Sequence, residues 1–203
     1  MSKPRVLLIE DEEILRASIS MFLRKNGFEV FEAQDEKGAL ASLKTDKFNL
    51  IITDLFLADG SGFGIMKYLQ DYCQEAKCIV ITGHASLDSA IRALRKGAFD
   101  YLLKPFEFDE LKTSIDRALL KQSEEKLIRK LDYQKISRNY GLTKKETEII
   151  KIILSNGASN ADISESLTIS KNTVKVHLRN IFRKIGVESK TALTTLLISG
   201  ESK

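Results

Sequence analysis

Histidine and cysteine are scarce in this 203-residue chain, with two of each: His84, His177, Cys73 and Cys78. The cysteine spacing fits neither a C-x-x-C pair nor a zinc ribbon, so neither a thiolate metal centre nor a disulfide framework is expected. Cys78 lies within the apolar run KCIVITG and reads as a buried thiol. Also lacking is any apolar stretch near the ~20 residues that a membrane span needs, and the N-terminus has no signal-peptide pattern. The expectation is a cytoplasmic protein with no membrane contact. What is present is a globular composition, 43% apolar and 30% charged, enough for packed cores. The length suits one large domain or two small ones.

Charge separates the chain into parts. Residues 1–120 hold 16 Lys and Arg against 19 Asp and Glu; residues 121–140 hold 6 against 3, and residues 141–203 hold 10 against 6. An acidic first part and a basic last part point to two domains, the second with an anionic partner.

In residues 1–120, β-branched apolar runs (RVLLIE, FEVFEA, NLIITD, KCIVITG, FDYLLKP) alternate with segments of helical spacing. Strands alternating with helices argue for a parallel sheet covered on both faces, and five units fit a flavodoxin-like doubly wound α/β domain. Ligands of such folds sit beyond the carboxyl ends of the strands. That rule gathers Glu10 and Asp11 from the first strand, Asp54 from the third, Thr82 from the fourth and Lys104 from the fifth.

These five residues suit phosphoryl chemistry. Adjacent carboxylates repel by about 4 kcal/mol at ~4 Å and an effective dielectric near 20, so either they splay into solvent or something positive sits between them. Mg²⁺ is held by one or two carboxylates plus phosphate oxygens and water. Lys104 and Thr82 can hold further phosphate oxygens. Asp54 is the candidate nucleophile, because it follows an apolar strand and heads the loop DLFLADGSG, where Asp59, Gly60 and Gly62 read as turn residues.

Residues 121–140 are charged with sparse apolar positions and read as a linker, either an extension of the preceding helix or a mobile stretch; the favoured reading is a helical extension followed by a short break before Gly141. Beyond it, LTKKETEIIKIILSNG carries a capping box, Thr143 with Glu146, then an apolar stripe ended by Gly157. A short helix from about Ser159 to Leu167 comes next. KNTVKVHLRNIFRKIG then buries Val174, Leu178, Ile181, Phe182 and Ile185 on one face and presents Asn172, Lys175, Val176, Arg179 and Arg183 on the other. A short helix, a tight turn and a basic amphipathic helix form the layout of a DNA-binding helix-turn-helix.

Residues 1–120 thus resemble the receiver domain of bacterial two-component response regulators, and residues 141–203 resemble the LuxR/NarL/FixJ-type helix-turn-helix domain, most densely at TVKVHLRNIFRKIGV. ITGHASLDSAIRALRKGAFDYLLKPF is most similar to receivers of the FixJ and NtrC kind, without the ATPase module of NtrC. The resemblance implies that Asp54 accepts phosphate from a sensor histidine kinase. It implies that Glu10, Asp11, Asp54 and the Phe56 backbone carbonyl hold Mg²⁺, that Thr82 and Lys104 contact the phosphoryl group, and that Tyr101 is an aromatic switch moving with Thr82. Lys104–Pro105 is usually cis in this family. Lys175, Val176 and Arg179 match base-contacting positions in double-stranded promoter DNA. Thr173, His177 and Lys184 match backbone-contacting or packing positions. The helix from Ser189 to Ile198 resembles a dimerising element, so a homodimer is expected on phosphorylation, with RNA polymerase as a further partner. Glu10 departs from the commoner Asp and lengthens one arm of the metal site.

Two rival readings differ from this one at named residues. A Mg²⁺-dependent phosphohydrolase of the haloacid-dehalogenase kind places a general acid/base two residues after the nucleophile, and here that position is Phe56. A constitutive DNA binder with a degenerate receiver would not need intact Asp54, Thr82 and Lys104.

Overall fold

The computed structural model describes residues 3–72, 75–84 and 86–199. Two compact units divide the chain, Met1–Gln122 and Ser123–Lys203.

In the first unit, chain order is β1 (Arg5–Ile9), α1 (Glu13–Lys25), β2 (Glu29–Ala33), α2 (Glu36–Thr45), β3 (Leu50–Asp54), the two-residue strands β4 (Phe56–Leu57) and β5 (Gly60–Ser61), α3 (Gly62–Tyr72), β6 (Lys77–Thr82), α4 (Leu87–Arg95), β7 (Ala98–Leu103) and α5 (Phe108–Lys130), whose last residues belong to the second unit. Five strands form one sheet in the order β2-β1-β3-β6-β7, with every pairing parallel. This is the flavodoxin-like order, with its switch point between β1 and β3.

Alternation along the strands divides the core. Leu7, Ile9, Ile51 and Val80 face Ala39 and Leu43 of α2, Ile65, Met66 and Leu69 of α3, and Ala93 of α4. Val6, Leu8, Leu50, Ile52, Ile79 and Ile81 face Ile19 and Leu23 of α1 and Leu111, Ile115 and Ala118 of α5. With helices on both faces, all of β3 and all but the first residue of β1 and β6 are buried, which is why the strand segments read as continuous apolar runs. Cys78 is buried as expected, and burial pushes its thiol up to about 12; Cys73 lies outside the described residues.

One buried polar knot ties the far end of the sheet to α5. Gln122 Nε2 donates to the carbonyls of Asn49 (2.9 Å) and Glu75 (2.5 Å), while Asn49 Nδ2 donates to Gln122 Oε1 (3.2 Å).

The second unit contains α6 (Tyr133–Tyr140), α7 (Lys144–Asn156), α8 (Asn160–Leu167), α9 (Lys171–Ile185) and α10 (Lys190–Ser199). The expected break before Gly141 needs correction. The chain breaks at Leu131–Asp132, and a separate helix, α6, fills the interval to Gly141. Asp132 Oδ1 accepts from the amides of Gln134 and Lys135, both at 3.0 Å, and Gly141 ends α6 in the left-handed conformation (φ 58°). The apolar positions that look sparse in sequence, Leu131, Tyr133, Ile136 and Tyr140, all pack on the core of Ile149, Ile150, Ile153, Leu178 and Ile181.

The capping box of α7 is present and gains a partner. Glu146 Oε2 accepts from the Thr143 amide at 2.8 Å and from Lys184 Nζ at 2.7 Å. Burial pushes the Glu146 carboxyl up, but Lys184 and Thr143 outweigh it and hold the group below the ordinary glutamate range. A depressed folded pKa contributes stability that is fully present above the unfolded value and is lost as pH falls through the folded value. Lys184→Met should therefore destabilise this unit at neutral pH by about 1.5–3 kcal/mol, the range for hydrogen bonds to charged groups. The gap to wild type should close as Glu146 protonates in both states. Calorimetric melts of the full chain from neutral to acidic pH check this; a gap that stays constant with pH would contradict it.

Candidate functional site

Three neighbouring strands end beside one another. Asp54 closes β3, Thr82 closes β6, and Lys104 follows β7, its amide donating to the Thr82 carbonyl at 2.9 Å. Lys104–Pro105 is cis, as the resemblance implies. The Lys104 ammonium donates to Glu10 Oε2 at 2.7 Å and to Asp54 Oδ2 at 2.6 Å. Glu10 and Thr82 are fully buried and Asp54 nearly so, whereas Asp11 is exposed.

Carboxylate oxygens of Glu10, Asp11 and Asp54 lie within 4.8 Å of one another. Burial raises the Glu10 carboxyl above the ordinary glutamate range; Lys104 pulls it back and the charge of Asp54 adds to the rise. Burial alone would lower Lys104, but its bonds to Asp54 and Glu10 outweigh that and hold it above the ordinary lysine range. Three carboxylates against one ammonium leave room for further positive charge, and an all-oxygen set of this kind suits a hard divalent cation.

The loop after Asp54 is held by a residue far away in sequence. Glu36 Oε2 accepts from the Ser61 amide at 2.8 Å, and the Glu36 amide donates to Asp59 Oδ1 at 3.0 Å. Gly60 and Gly64 let this carboxylate approach, since a Cβ on either would strike it. A Cβ on Gly62 would strike the Asp54 carbonyl itself. The Phe56 amide donates to Asp54 Oδ1 at 3.0 Å, which fixes one carboxylate oxygen. The Phe56 ring meets the His84 ring edge-on at 5.3 Å.

In the second unit, Thr168 (φ 53°) turns the chain between α8 and α9, and Ser170 caps α9 by accepting from the Thr173 amide at 3.0 Å. Val174, Leu178, Ile181 and Ile185 are buried, with Phe182 half-buried beside them. The opposite face exposes Asn172, Thr173, Lys175, Val176, Arg179 and Arg183. Val176 is 55% exposed, an apolar side chain with no core to face.

Comparison with known proteins gives each unit a family. Residues 6–116 match the response regulator receiver domain, and residues 140–197 match the bacterial regulatory proteins of the luxR family. The transcriptional regulatory protein FixJ of Rhizobium meliloti is 30% identical over 204 residues, 98% of both chains. The chain is a two-component response regulator. The response regulator protein TodT of Pseudomonas putida is 29% identical over 185 residues, 91% of this regulator and 81% of TodT. Among solved structures, full-length FixJ from B. japonicum aligns over 100% of both chains (TM-score 0.57, 25% identity). The CheY-like receiver from Methanospirillum hungatei aligns over 61% of the regulator and 99% of its own length (TM-score 0.59, 30% identity). The regulator is therefore a transcription regulator: its receiver implies a histidine kinase partner and its luxR-family unit implies DNA. Receivers generally bind Mg²⁺ at an acidic pocket, and the regulator has such a cluster. Among the described residues, no helix is long and apolar enough to cross a membrane.

The regulator thus brings Glu10, Asp11, Asp54 and Lys104 into one pocket, with Thr82 and Phe56 on adjoining backbone. Lys184, one of the backbone-contacting or packing positions, packs within its own unit: its ammonium is held by the Glu146 carboxylate and by the Gly141 carbonyl at 2.8 Å. His177 is half-buried. Two contributors were missed in the sequence. Glu36 carries no motif signal in the sequence, and only the fold brings it to the Asp54 loop. Ser89 carries none either, yet its Oγ lies 3.1 Å from the Tyr101 hydroxyl.

Proposed function

We propose that Asp54 is the phosphoacceptor and that its phosphorylation gates DNA binding by α9. The carrying observation is the Lys104 ammonium lodged between the Asp54 and Glu10 carboxylates at 2.6 and 2.7 Å. An Asp54 carboxylate oxygen attacks the phosphorus of a kinase phosphohistidine; the P–N bond breaks, and its electron pair returns to the imidazole. Lys104 and the Thr82 hydroxyl then hold phosphoryl oxygens. Glu10, Asp11, Asp54 and the Phe56 carbonyl would hold Mg²⁺, which supplies charge neutralisation when bound. The Phe56 amide keeps one Asp54 oxygen in place, so the other serves as nucleophile once Lys104 shifts towards the incoming phosphoryl group.

Thr82 turns towards the phosphoryl group, and Tyr101 follows it inward. The surface around α4, β7 and α5 then changes shape and favours pairing of two receivers. Asn172, Thr173, Lys175, Val176, Arg179 and Arg183 present the DNA-reading row, and α10 is a second candidate for pairing copies. RNA polymerase is the downstream partner in this reading.

Acetyl phosphate, a small donor, tests the pocket without the kinase. Intact-mass spectrometry should find phosphorylated protein with Mg²⁺ and none in EDTA. Equal phosphorylation in EDTA would overturn the proposed metal site.

A further inference from the structure

The Ser89 hydroxyl occupies an unusual position: it closes the capping box of α4 and also meets the Tyr101 hydroxyl. Its contacts account for its full hydrogen-bonding capacity. Ser89 Oγ donates to the Ser86 carbonyl at 2.9 Å and accepts from the Ser86 amide at 3.1 Å. A hydroxyl has one proton and two acceptor sites. The proton is committed to Ser86, so the remaining contact, 3.1 Å from the Tyr101 hydroxyl, is accepted from Tyr101. The Ser89 amide in turn donates to Ser86 Oγ at 3.0 Å, which completes the box.

α4 depends on this end more than its neighbours do on theirs. It has nine residues, too few for stable helix on propensity alone, and Ala93 is its one buried residue. Little burial holds its first turn, so the cap carries much of the fixing.

We infer that Ser89 is a positioning residue that couples the Tyr101 ring to the first turn of α4. Tyr101 is half-buried here, and its hydroxyl holds the Ser89 side chain in the one rotamer that serves the box. When Tyr101 turns further inward, Ser89 Oγ loses that partner, its rotamer is released, and the first turn of α4 loosens. The inference rests on the reading of Tyr101 as the group that turns on phosphorylation, and it supplies a physical step from that ring to the helix beside it.

Hydrogen exchange at the Ser86 and Ser89 amides of the full chain tests it, with acetyl phosphate and Mg²⁺ as the phosphorylating probe. Tyr101→Phe keeps the ring and removes only the hydroxyl; it should speed exchange roughly two- to thirteenfold, the factor of one net hydrogen bond. Ser89→Ala should speed it at least as much, the double variant should add nothing to Ser89→Ala, and Ser89→Thr should restore protection. Phosphorylation of the wild type should speed exchange similarly and should add nothing in Ser89→Ala, whereas a cap with no link to Tyr101 would leave that increment intact. Unchanged exchange in Tyr101→Phe, or additive effects in the double variant, would overturn the coupling. Faster exchange in Tyr101→Phe with none on phosphorylation would support the coupling and overturn the inward turn of Tyr101.

Discussion

Asp54→Asn is expected to abolish phosphorylation altogether, with no phosphate adduct in the intact mass at any concentration of acetyl phosphate and Mg²⁺. The amide is nearly isosteric and can keep the hydrogen bond from Phe56, so the loop and the sheet end should survive. What disappears is the proposed nucleophile: an amide oxygen does not form the acyl phosphate that a carboxylate forms. Asp11→Ala should act differently. Asp11 is the exposed member of the acidic cluster. Its loss leaves Asp54 in place and removes one of the oxygens proposed to hold Mg²⁺, so phosphorylation should slow greatly and recover partly at raised Mg²⁺. Phosphate remaining on Asp54→Asn would place the acceptor elsewhere.

The second large effect concerns α9. Arg179 and Lys175 are exposed on the same face as Val176, whose side chain would find a partner in a thymine methyl. If Arg179 reads a base edge, Arg179→Ala should weaken operator binding by about 1–3 kcal/mol, roughly 5- to 150-fold, and relax specificity at one position. Titration against a mapped operator and a scrambled duplex of equal length separates the roles. Loss on the operator alone supports base reading, and equal loss on both makes Arg179 a phosphate contact.

Much of this architecture is legible in the sequence because it depends on local periodicity. The five apolar runs became the five sheet strands, since a parallel sheet buried on both faces demands continuous apolar residues. The strand-end rule gathered Glu10, Asp11, Asp54, Thr82 and Lys104 without any contact information. The capping box of Thr143 and Glu146 is a local device and is present as read.

What stayed hidden depends on residues distant in sequence. Glu36 holds the Asp54 loop across 25 positions, and nothing near Glu36 announces it. Lys184 reads as one more cation on a basic helix until Glu146, 38 positions earlier, is brought against it. The residues of α6 look too polar for a helix with its own core, because the apolar surface they pack on comes from α7 and α9. Glu10 is the instructive intermediate case. Its longer arm was legible, but not that its carboxylate would reach Lys104.

The account stands on coupling between Asp54 and DNA. A tenfold gain in affinity needs only ~1.4 kcal/mol of coupling, within the usual range of allosteric energies. The most direct measurement titrates a mapped operator with wild-type protein at full phosphate occupancy and with the same protein unphosphorylated, while sedimentation follows its mass. The account predicts that phosphorylation raises both operator affinity and self-association, and that Tyr101→Ala uncouples them from phosphate occupancy. Unchanged affinity and unchanged mass at full occupancy would contradict it and favour a DNA binder that ignores its receiver.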